Sequence, residues 1–328
     1  MSKKHKFISP KILRHKEKPK AHQAKEEPKA LPVCVIKKND ERLNLALLAY
    51  GSEEFEQAYK LFLSLADEGH PKSQYFVGMM QREGRFVDKS LAKAFYWSKK
   101  SAQQNDPEAQ TALGLMHFYG LGTQQDYSEA LKWYQRAAAQ GYASAQNKLG
   151  VMYRDGIGVP MNNKEGLRLC RVAADQGYSK AQYNAGFAYM LGIVTHRDLK
   201  ETAKWFCLAA EGGLATAQNN LGCMYRDGTG VPLDYIEAIR LFRLATGQGY
   251  AWSQGNLGGM YMEGLGVPKD DVKARLWLNL ACRQGNLRAH RLRDVLTKRM
   301  SNEDLHLVAE LTKDWVREKP PYEHDVFL

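Results

Sequence analysis

The sequence predicts an all-α protein, a right-handed superhelical α-solenoid of about six 36-residue helix-pair repeats with terminal caps. A segment that begins at Ala145 returns almost unchanged at Ala217, 72 residues later, and related copies begin at 73, 109, 181 and 253. A Gly that closes each unit recurs at 69, 141, 177, 213, 249 and 285, with Asn105 at the one missing step. A period this constant is typical of stacks in which each unit contacts only its neighbours.

The period divides the chain into five segments. Residues 1–38 are expected to form a disordered basic tail, and 39–69 an N-terminal capping helix pair. Six full repeats occupy 70–105, 106–141, 142–177, 178–213, 214–249 and 250–285. The pattern fades afterwards, so 286–320 are expected to form C-terminal capping helices and 321–328 a short tail. In each repeat we call the first helix A and the second helix B; a Gly-rich loop joins them.

Capping residues mark the start of helix B. A side-chain oxygen at the N-cap can accept a hydrogen bond from the free N–H groups of the first turn. All six repeats carry such a residue there: Ser90, Asp126, Asn162, Asp198, Asp234 and Asp270. In four repeats a Glu follows three residues later (Glu129, Glu165, Glu201, Glu237), which predicts a reciprocal capping box.

Helix A carries a recurrent Gly at 78, 114, 150, 186, 222 and 258. Gly inside a helix costs about 1 kcal/mol relative to Ala, so we expect a neighbouring helix to lie directly against that backbone. The space between helices A and B is predicted to be filled by one large residue of helix B. These residues are Trp97, Trp133, Trp205 and Trp277, with Leu169 and Leu241 at the same position.

The net charge of +11 is concentrated in the tail, where residues 1–38 hold 12 Lys/Arg and 3 Asp/Glu. Such a segment can bind nucleic acid or anionic membranes weakly and in a salt-dependent way, or it can simply solubilise the protein. No run of 18 apolar residues is present, so no transmembrane segment is expected. The N-terminus also lacks the apolar region of a secretory signal, and we therefore expect a cytoplasmic protein.

No catalytic or metal-binding constellation emerges from the sequence. The stretch from His196 to Leu199 is like a kinase catalytic loop, but Ala203 stands where that loop requires Asn. The Arg-Asp-Gly-x-Gly loops at 154–158 and 226–230 lack both the Lys-Ser/Thr of a phosphate-binding loop and the alternating acids of an EF-hand. The five Cys residues fall at different positions of their repeats. We therefore expect no enzyme activity, no metal and no cofactor.

The repeat signature resembles the Sel1-like repeat family, relatives of the tetratricopeptide repeats with a longer connecting loop. The resemblance covers about residues 55 to 285, with Phe86 and Val194 at places where the second loop Gly belongs. It implies that helix A lines a concave surface and that the protein is an adaptor. The residues that carry it most clearly are Leu149, Gly150, Met152, Tyr153, Gly156 and Gly158, and Leu221, Gly222, Met224, Tyr225, Gly228 and Gly230.

Comparison of the six copies divides helix A into a nearly constant arc and a varied arc. The resemblance implies that the varied arc faces the groove, and its aromatic, Met and Arg residues are types enriched where proteins bind proteins. A line of Asn beside it could hydrogen-bond an extended backbone. The alternative is that these residues complete the packing between successive helices A. The predicted groove residues are Tyr75, Met79, Arg82, Phe118, Arg154, Asn184, Phe187, Met190, Asn220, Arg226, Asn256 and Met262.

These observations lead to an expected function. We expect a non-catalytic scaffold that binds a partner protein or an extended peptide in the groove. The capped ends favour a monomer. The alternative function is binding of nucleic acid or an anionic surface through residues 1–38, with the solenoid as a passenger.

Overall fold

The computed structural model describes residues 33–193 and 196–318, and over these ranges it contains sixteen α-helices and no strand. The predicted all-α solenoid of helix pairs is confirmed. The helices are α1 (Val33–Gly51), α2 (Phe55–Asp67), α3 (Pro71–Glu83), α4 (Leu91–Gln103), α5 (Pro107–Tyr119), α6 (Tyr127–Ala139), α7 (Ala143–Asp155), α8 (Asn163–Asp175), α9 (Ser179–Leu191), α10 (Leu199–Glu211), α11 (Ala215–Asp227), α12 (Tyr235–Gly247), α13 (Ala251–Glu263), α14 (Asp271–Arg283), α15 (Leu287–Thr297) and α16 (Asn302–Glu318).

The ends of the solenoid differ in part from the sequence-based boundaries. Helix α1 begins at Val33, so residues 33–38, which the prediction placed in the tail, are helical. The remainder of the predicted basic tail, the segment 321–328 and Val194 lie outside the described residues. Helices α15 and α16 occupy the predicted C-terminal capping region, and α16 packs against α14.

Contacts between successive repeats also join helices of the same layer, as α3 does with α5 and α7 with α9. That helix A lines the concave side and helix B the convex side stays a prediction.

Helix B packs against the recurrent Gly of helix A through the residue that follows the predicted Trp/Leu position. A Cβ added to Gly222 would lie 2.8 Å from the ring of Phe242, and one added to Gly186 would lie 2.8 Å from the ring of Phe206. Both rings are fully buried. The close approach expected at Gly is confirmed, because there is no room for a larger residue.

The Trp residues contact helix A of their own repeat, as predicted, but they also reach the preceding repeat. Trp133 packs against Ala109 of its own helix A and against Ala102 of the preceding helix B. Trp205 packs against Ala181 of its own helix A and against Ala173 and Ala174 of the preceding repeat. The prediction that Trp fills the space between helices A and B of one repeat is therefore right only in part, because the next residue of helix B occupies the space against the recurrent Gly.

The predicted N-caps of helix B are confirmed, but the reciprocal half of the capping box is not formed. Asp126 Oδ1 accepts the backbone N–H of Glu129 at 3.0 Å. The N–H of Asp126, however, donates to the carbonyl of His117 at 2.8 Å, and Glu129 pairs instead with Lys132 at 2.6 Å. The A–B loop folds back on helix A, so the carbonyl of His117 accepts the N–H of Asp126 in place of the Glu129 side chain.

A chain of glutamine amides connects the helices. Gln218 Nε2 donates to the carbonyl of Ala210 in the preceding helix B at 3.1 Å, and Gln218 Oε1 accepts Gln248 Nε2 from the end of its own helix B at 2.9 Å. Gln74, Gln110 and Gln146 are bonded in the same way. One side chain thus gives a carbonyl at a helix end a second hydrogen-bond donor and ties three helices together.

Repeat 178–213 lacks half of this arrangement. Gly212 stands where the neighbouring repeats carry the second Gln, and within the described structure Gln182 Oε1 is buried without a hydrogen-bond partner. A Cβ on Gly212 would lie 2.1 Å from Ser179 Oγ. The Ser hydroxyl therefore occupies the place that a Gln side chain would need.

The double variant Ser179→Ala/Gly212→Gln is expected to raise the free energy of unfolding by about 1 kcal/mol, the usual net value of one hydrogen bond. It removes the obstructing hydroxyl and gives Gln182 the partner it lacks. Urea denaturation followed by circular dichroism measures the change. The single variant Gly212→Gln is the control and should not stabilise, because Ser179 still blocks the amide. A double variant no more stable than wild type would contradict this role of the glutamines.

The second Gly of the A–B loop lies against the preceding helix B. Gly122 has a φ of 70°, and a Cβ there would lie 2.1 Å from the carbonyl oxygen of Leu91. Phe86, at the same position of the first full repeat, keeps the left-handed conformation with a φ of 65°. Phe86 fits there because it borders an open cavity of about 780 Å³ beside the start of α2. The loop geometry is thus retained despite the missing Gly.

None of the helices in the described ranges combines the length and the apolar character needed to cross a lipid bilayer.

Candidate functional site

The predicted groove residues all lie on helices A, but none of them is fully exposed. Eleven of the twelve are partly buried, and Met262 is buried with 6% of its surface exposed. Several of them form contacts between successive helices A, so they contribute to packing between repeats as well as to the surface of this layer.

The three arginines of the set are paired with the acidic residue that follows each of them. Arg154 Nε donates to Asp155 Oδ1 at 2.6 Å, and Arg226 Nε donates to Asp227 Oδ1 at 2.7 Å. Arg82 pairs with Glu83 in the same way. The hydrogen bond that Arg154 donates to Asp155, together with the negative charge of that carboxylate, raises the pKa of Arg154, although burial opposes this effect. These cations are therefore held in place and largely neutralised.

The asparagines form hydrogen bonds from one repeat to the preceding one. Asn184 Nδ2 donates to Asn147 Oδ1 at 2.8 Å, and Asn256 Nδ2 donates to Asn219 Oδ1 at 2.9 Å. Asn220 Nδ2 donates to the hydroxyl of Tyr183 at 3.1 Å. The amide donors predicted to contact a bound backbone are thus already used to connect α7, α9, α11 and α13.

The aromatic residues of the set are fixed by ring contacts. The ring of Tyr183 stacks on Phe206 at 5.2 Å and lies 6.1 Å from Phe187. Phe118 packs edge-on against Tyr119 and Tyr127 at 4.9 and 5.0 Å. Because these rings are held by their neighbours, their exposed edges form a surface of defined shape.

The sequence analysis missed a second row of varied residues, at the start of each helix A. Its members recur every 36 residues immediately before the constant Ala/Ser, and Lys72 at one end forms an ion pair with Glu108 of the next repeat. Trp252 at the other end is 54% exposed. The position immediately before the constant Ala/Ser varies strongly among the repeats, and this variation is the signal that could have revealed the row. This leading row consists of Lys72, Glu108, Ser144, Lys180, Thr216 and Trp252.

Lys148 lies one turn after Ser144 on α7 and is half-buried. Burial and the like charge of Lys180 lower the pKa of Lys148. No carboxylate among the described residues forms an ion pair with Lys148 or with Lys180. This pair is thus a positive charge that no ion pair among the described residues compensates.

The described thiols are unreactive in character. Cys170 is buried, and burial raises its pKa to about 12. Burial also raises the pKa of Cys207, Cys223 and Cys282. In the described part of the chain, no three His, Cys, Asp or Glu side chains come together in a group that could hold a metal ion.

Comparison with known proteins identifies seven segments that match the Sel1 repeat model: 44–70, 71–106, 107–142, 143–178, 179–214, 215–250 and 253–286. The first of them covers most of the predicted capping pair at 39–69, so the family model counts that pair as a repeat.

Solved structures show the same similarity. A Sel1 repeat protein from Oxalobacter formigenes is 31% identical, with a TM-score of 0.65 over 73% of this chain and 96% of that chain. A protective antigen present in uropathogenic Escherichia coli strains, described as having an SLR fold, is 25% identical over 87% of this chain and 70% of that chain, with a TM-score of 0.49. The comparison with curated proteins found no significant match.

Proposed function

Because the chain belongs to the Sel1 repeat family, whose members generally serve as protein-interaction scaffolds, we propose that it is a non-catalytic adaptor that binds a partner protein or an extended peptide in its concave groove. The observation that supports this most directly is the layer of helices A, where partly exposed aromatic, Met, Arg and Asn side chains recur through the repeats. We further propose that the adaptor is a cytoplasmic monomer.

The side chains of this surface are suited to binding because they are fixed before a partner arrives. The inter-repeat amide bonds, the Arg–Asp pairs and the stacked rings hold their rotamers in place. Immobilising a flexible side chain at an interface costs about 0.5–1.5 kcal/mol, and a rigid surface avoids much of that loss. A groove built this way favours a partner whose shape matches it.

The triple variant Arg154→Ala/Phe187→Ala/Arg226→Ala tests the proposal. We expect it to weaken partner binding at least about tenfold, because aromatic and Arg residues contribute most to interfaces. The full-length chain captures its partner from the source lysate, and the affinity of the purified pair is measured for both forms. Circular dichroism shows whether the variant keeps its helices.

A convex-side variant of equal size, Lys164→Ala/Lys200→Ala/Leu208→Ala, is the matched control, since these three residues are exposed on helices B. Unchanged binding by the groove variant, or loss of binding by the convex variant alone, would contradict a concave binding site.

Deleting residues 1–32 distinguishes groove binding from the alternative function, which is binding of nucleic acid or an anionic surface through the basic N-terminal tail. This deletion ends before α1 begins at Val33, so it spares the helices. A groove binder keeps its partner after the deletion. A tail binder loses it, and its binding to the full chain falls steeply as salt rises.

A further inference from the structure

The charges of the leading row are balanced at one end of the solenoid and unbalanced further along it. Lys72 is neutralised by Glu108 of the next repeat. Lys180 occupies the same position of helix A, but its neighbours in the row are Ser144 and Thr216, which carry no charge. The row is thus neutral near α3 and positive near α9.

Lys148 adds a second positive charge at the same place. Ser144 and Lys148 are one turn apart on α7, and the Tyr178 hydroxyl, next to the start of α9, lies 3.4 Å from Ser144 Oγ. This contact brings the start of α9, and with it Lys180, beside Lys148. Partial burial of the Lys148 ammonium without an anionic partner is unfavourable, and the like charge of the exposed Lys180 beside it adds repulsion. An anion bound between them would relieve both effects.

Trp252 provides an apolar contact two repeats further along the same row. It is 54% exposed, although a side chain of this size is usually buried, and it stands on α13 where Lys180 stands on α9. Tryptophan is among the residues that contribute most to protein interfaces. Thr216, a small polar residue, occupies the position of the row between the two.

We propose that this half of the groove recognises an extended peptide that carries an Asp or Glu side chain, held by Lys148 and Lys180, and an aromatic or aliphatic side chain that packs on Trp252. This proposal rests on the proposed function and specifies its ligand. Helices pack about 8–10 Å apart, so two steps of the stack span about 16–20 Å. An extended peptide covers that distance in about five or six residues at about 3.3 Å each.

The surrounding charges favour a peptide with isolated acids over a polyanion such as nucleic acid. Asp155 and Asp227 lie at the opposite ends of the same helices A and remain partly exposed beside their Arg partners. Because each of them is paired with an Arg, these helix ends add no net positive charge, which a continuous line of phosphates would require. Two lysines suit one or two carboxylates, which accept charge-assisted hydrogen bonds from ammonium groups.

The test is a selection of random twelve-residue peptides on the full chain, followed by affinity measurement of the enriched peptides by fluorescence polarisation. We expect enrichment of an acidic residue and, about five or six residues away, an aromatic or aliphatic one. The variant Lys148→Ala/Lys180→Ala should weaken the best peptide about tenfold. The same variant should not change the affinity for a version of this peptide in which Asn or Gln replaces the acidic residue. Trp252→Ala should remove the apolar preference.

The variant Lys164→Ala/Lys200→Ala makes the same change of net charge on exposed residues of helices B and should bind like wild type. If peptides bind and the Arg154/Phe187/Arg226 variant abolishes binding, but no acid is selected, the present inference is overturned while the groove function stands. If wild type enriches no peptide at all, both fail. If the control lowers affinity as much as the Lys148/Lys180 variant, the effect is one of overall charge and the site is refuted.

Discussion

Replacing Phe242 by Ala is expected to lower the free energy of unfolding by about 3–5 kcal/mol, the range typical of a large aromatic residue removed from a core. Its ring is fully buried, lies against Gly222 of its own repeat and packs in one cluster with Leu257 and Met260 of the next. The truncation therefore opens a cavity shared by α11, α12 and α13. Urea denaturation measures the loss, and hydrogen exchange shows whether these three helices open first.

The control for this prediction is Leu244→Ala. Leu244 lies on the same helix, two residues away, and is 44% exposed. Exposed substitutions usually change stability by no more than about 0.5 kcal/mol. Equal losses at the two positions would mean that helix propensity, and not packing against Gly222, controls the stability of this repeat.

Gly122→Ala is expected to cost more than about 3 kcal/mol, which exceeds the strain of a left-handed residue alone at about 1–2 kcal/mol. The remainder arises because the new Cβ would lie 2.1 Å from the carbonyl oxygen of Leu91 in the preceding repeat. Either the loop or the start of α4 must move, so the junction between the two repeats loosens. Thermal and urea denaturation both report this loss.

The variant Gly141→Ala measures the cost of the left-handed conformation without a steric contact. Gly141 has a φ of 83°, and nothing lies within 4 Å of an added Cβ. Its replacement should cost only the left-handed strain, about 1–2 kcal/mol. Asn105, at the corresponding position one repeat earlier, already adopts a φ of 68°. If Gly141→Ala cost as much as Gly122→Ala, the contact with Leu91 would have no separate effect.

The period and the cap residues could be predicted from the sequence because both are local. A spacing of 36 residues fixes which positions are equivalent, and an Asp at an N-cap bonds an N–H only three residues away. The choice between Trp205 and Phe206 could not be made in this way. Adjacent helix residues point about 100° apart, so either could face helix A. The structure settles it because the ring of Phe206 lies against Gly186, whereas Trp205 approaches that Gly only with its Cβ.

The candidate site was predictable only as a surface. Variation among the copies found the Arg, Asn and aromatic residues of helices A but could not show that Asn256 bonds Asn219 of the preceding repeat. Such bonds depend on the offset between successive repeats, which the spacing along the chain does not encode. The sequence could not predict that Lys148 and Lys180 lack ion pairs for the same reason. Whether a carboxylate lies near enough to pair with them depends on the offset between repeats.

The interrupted glutamine chain gives the solenoid unequal mechanical stiffness. Gln182 still holds the carbonyl of Ala174, but it has lost the amide that ties the end of helix B to helix A in neighbouring repeats. In a linear array, a weaker unit yields before the others when the ends are pulled apart. Stretching should therefore extend the chain first around α9 and α10, and bending of the array should concentrate there.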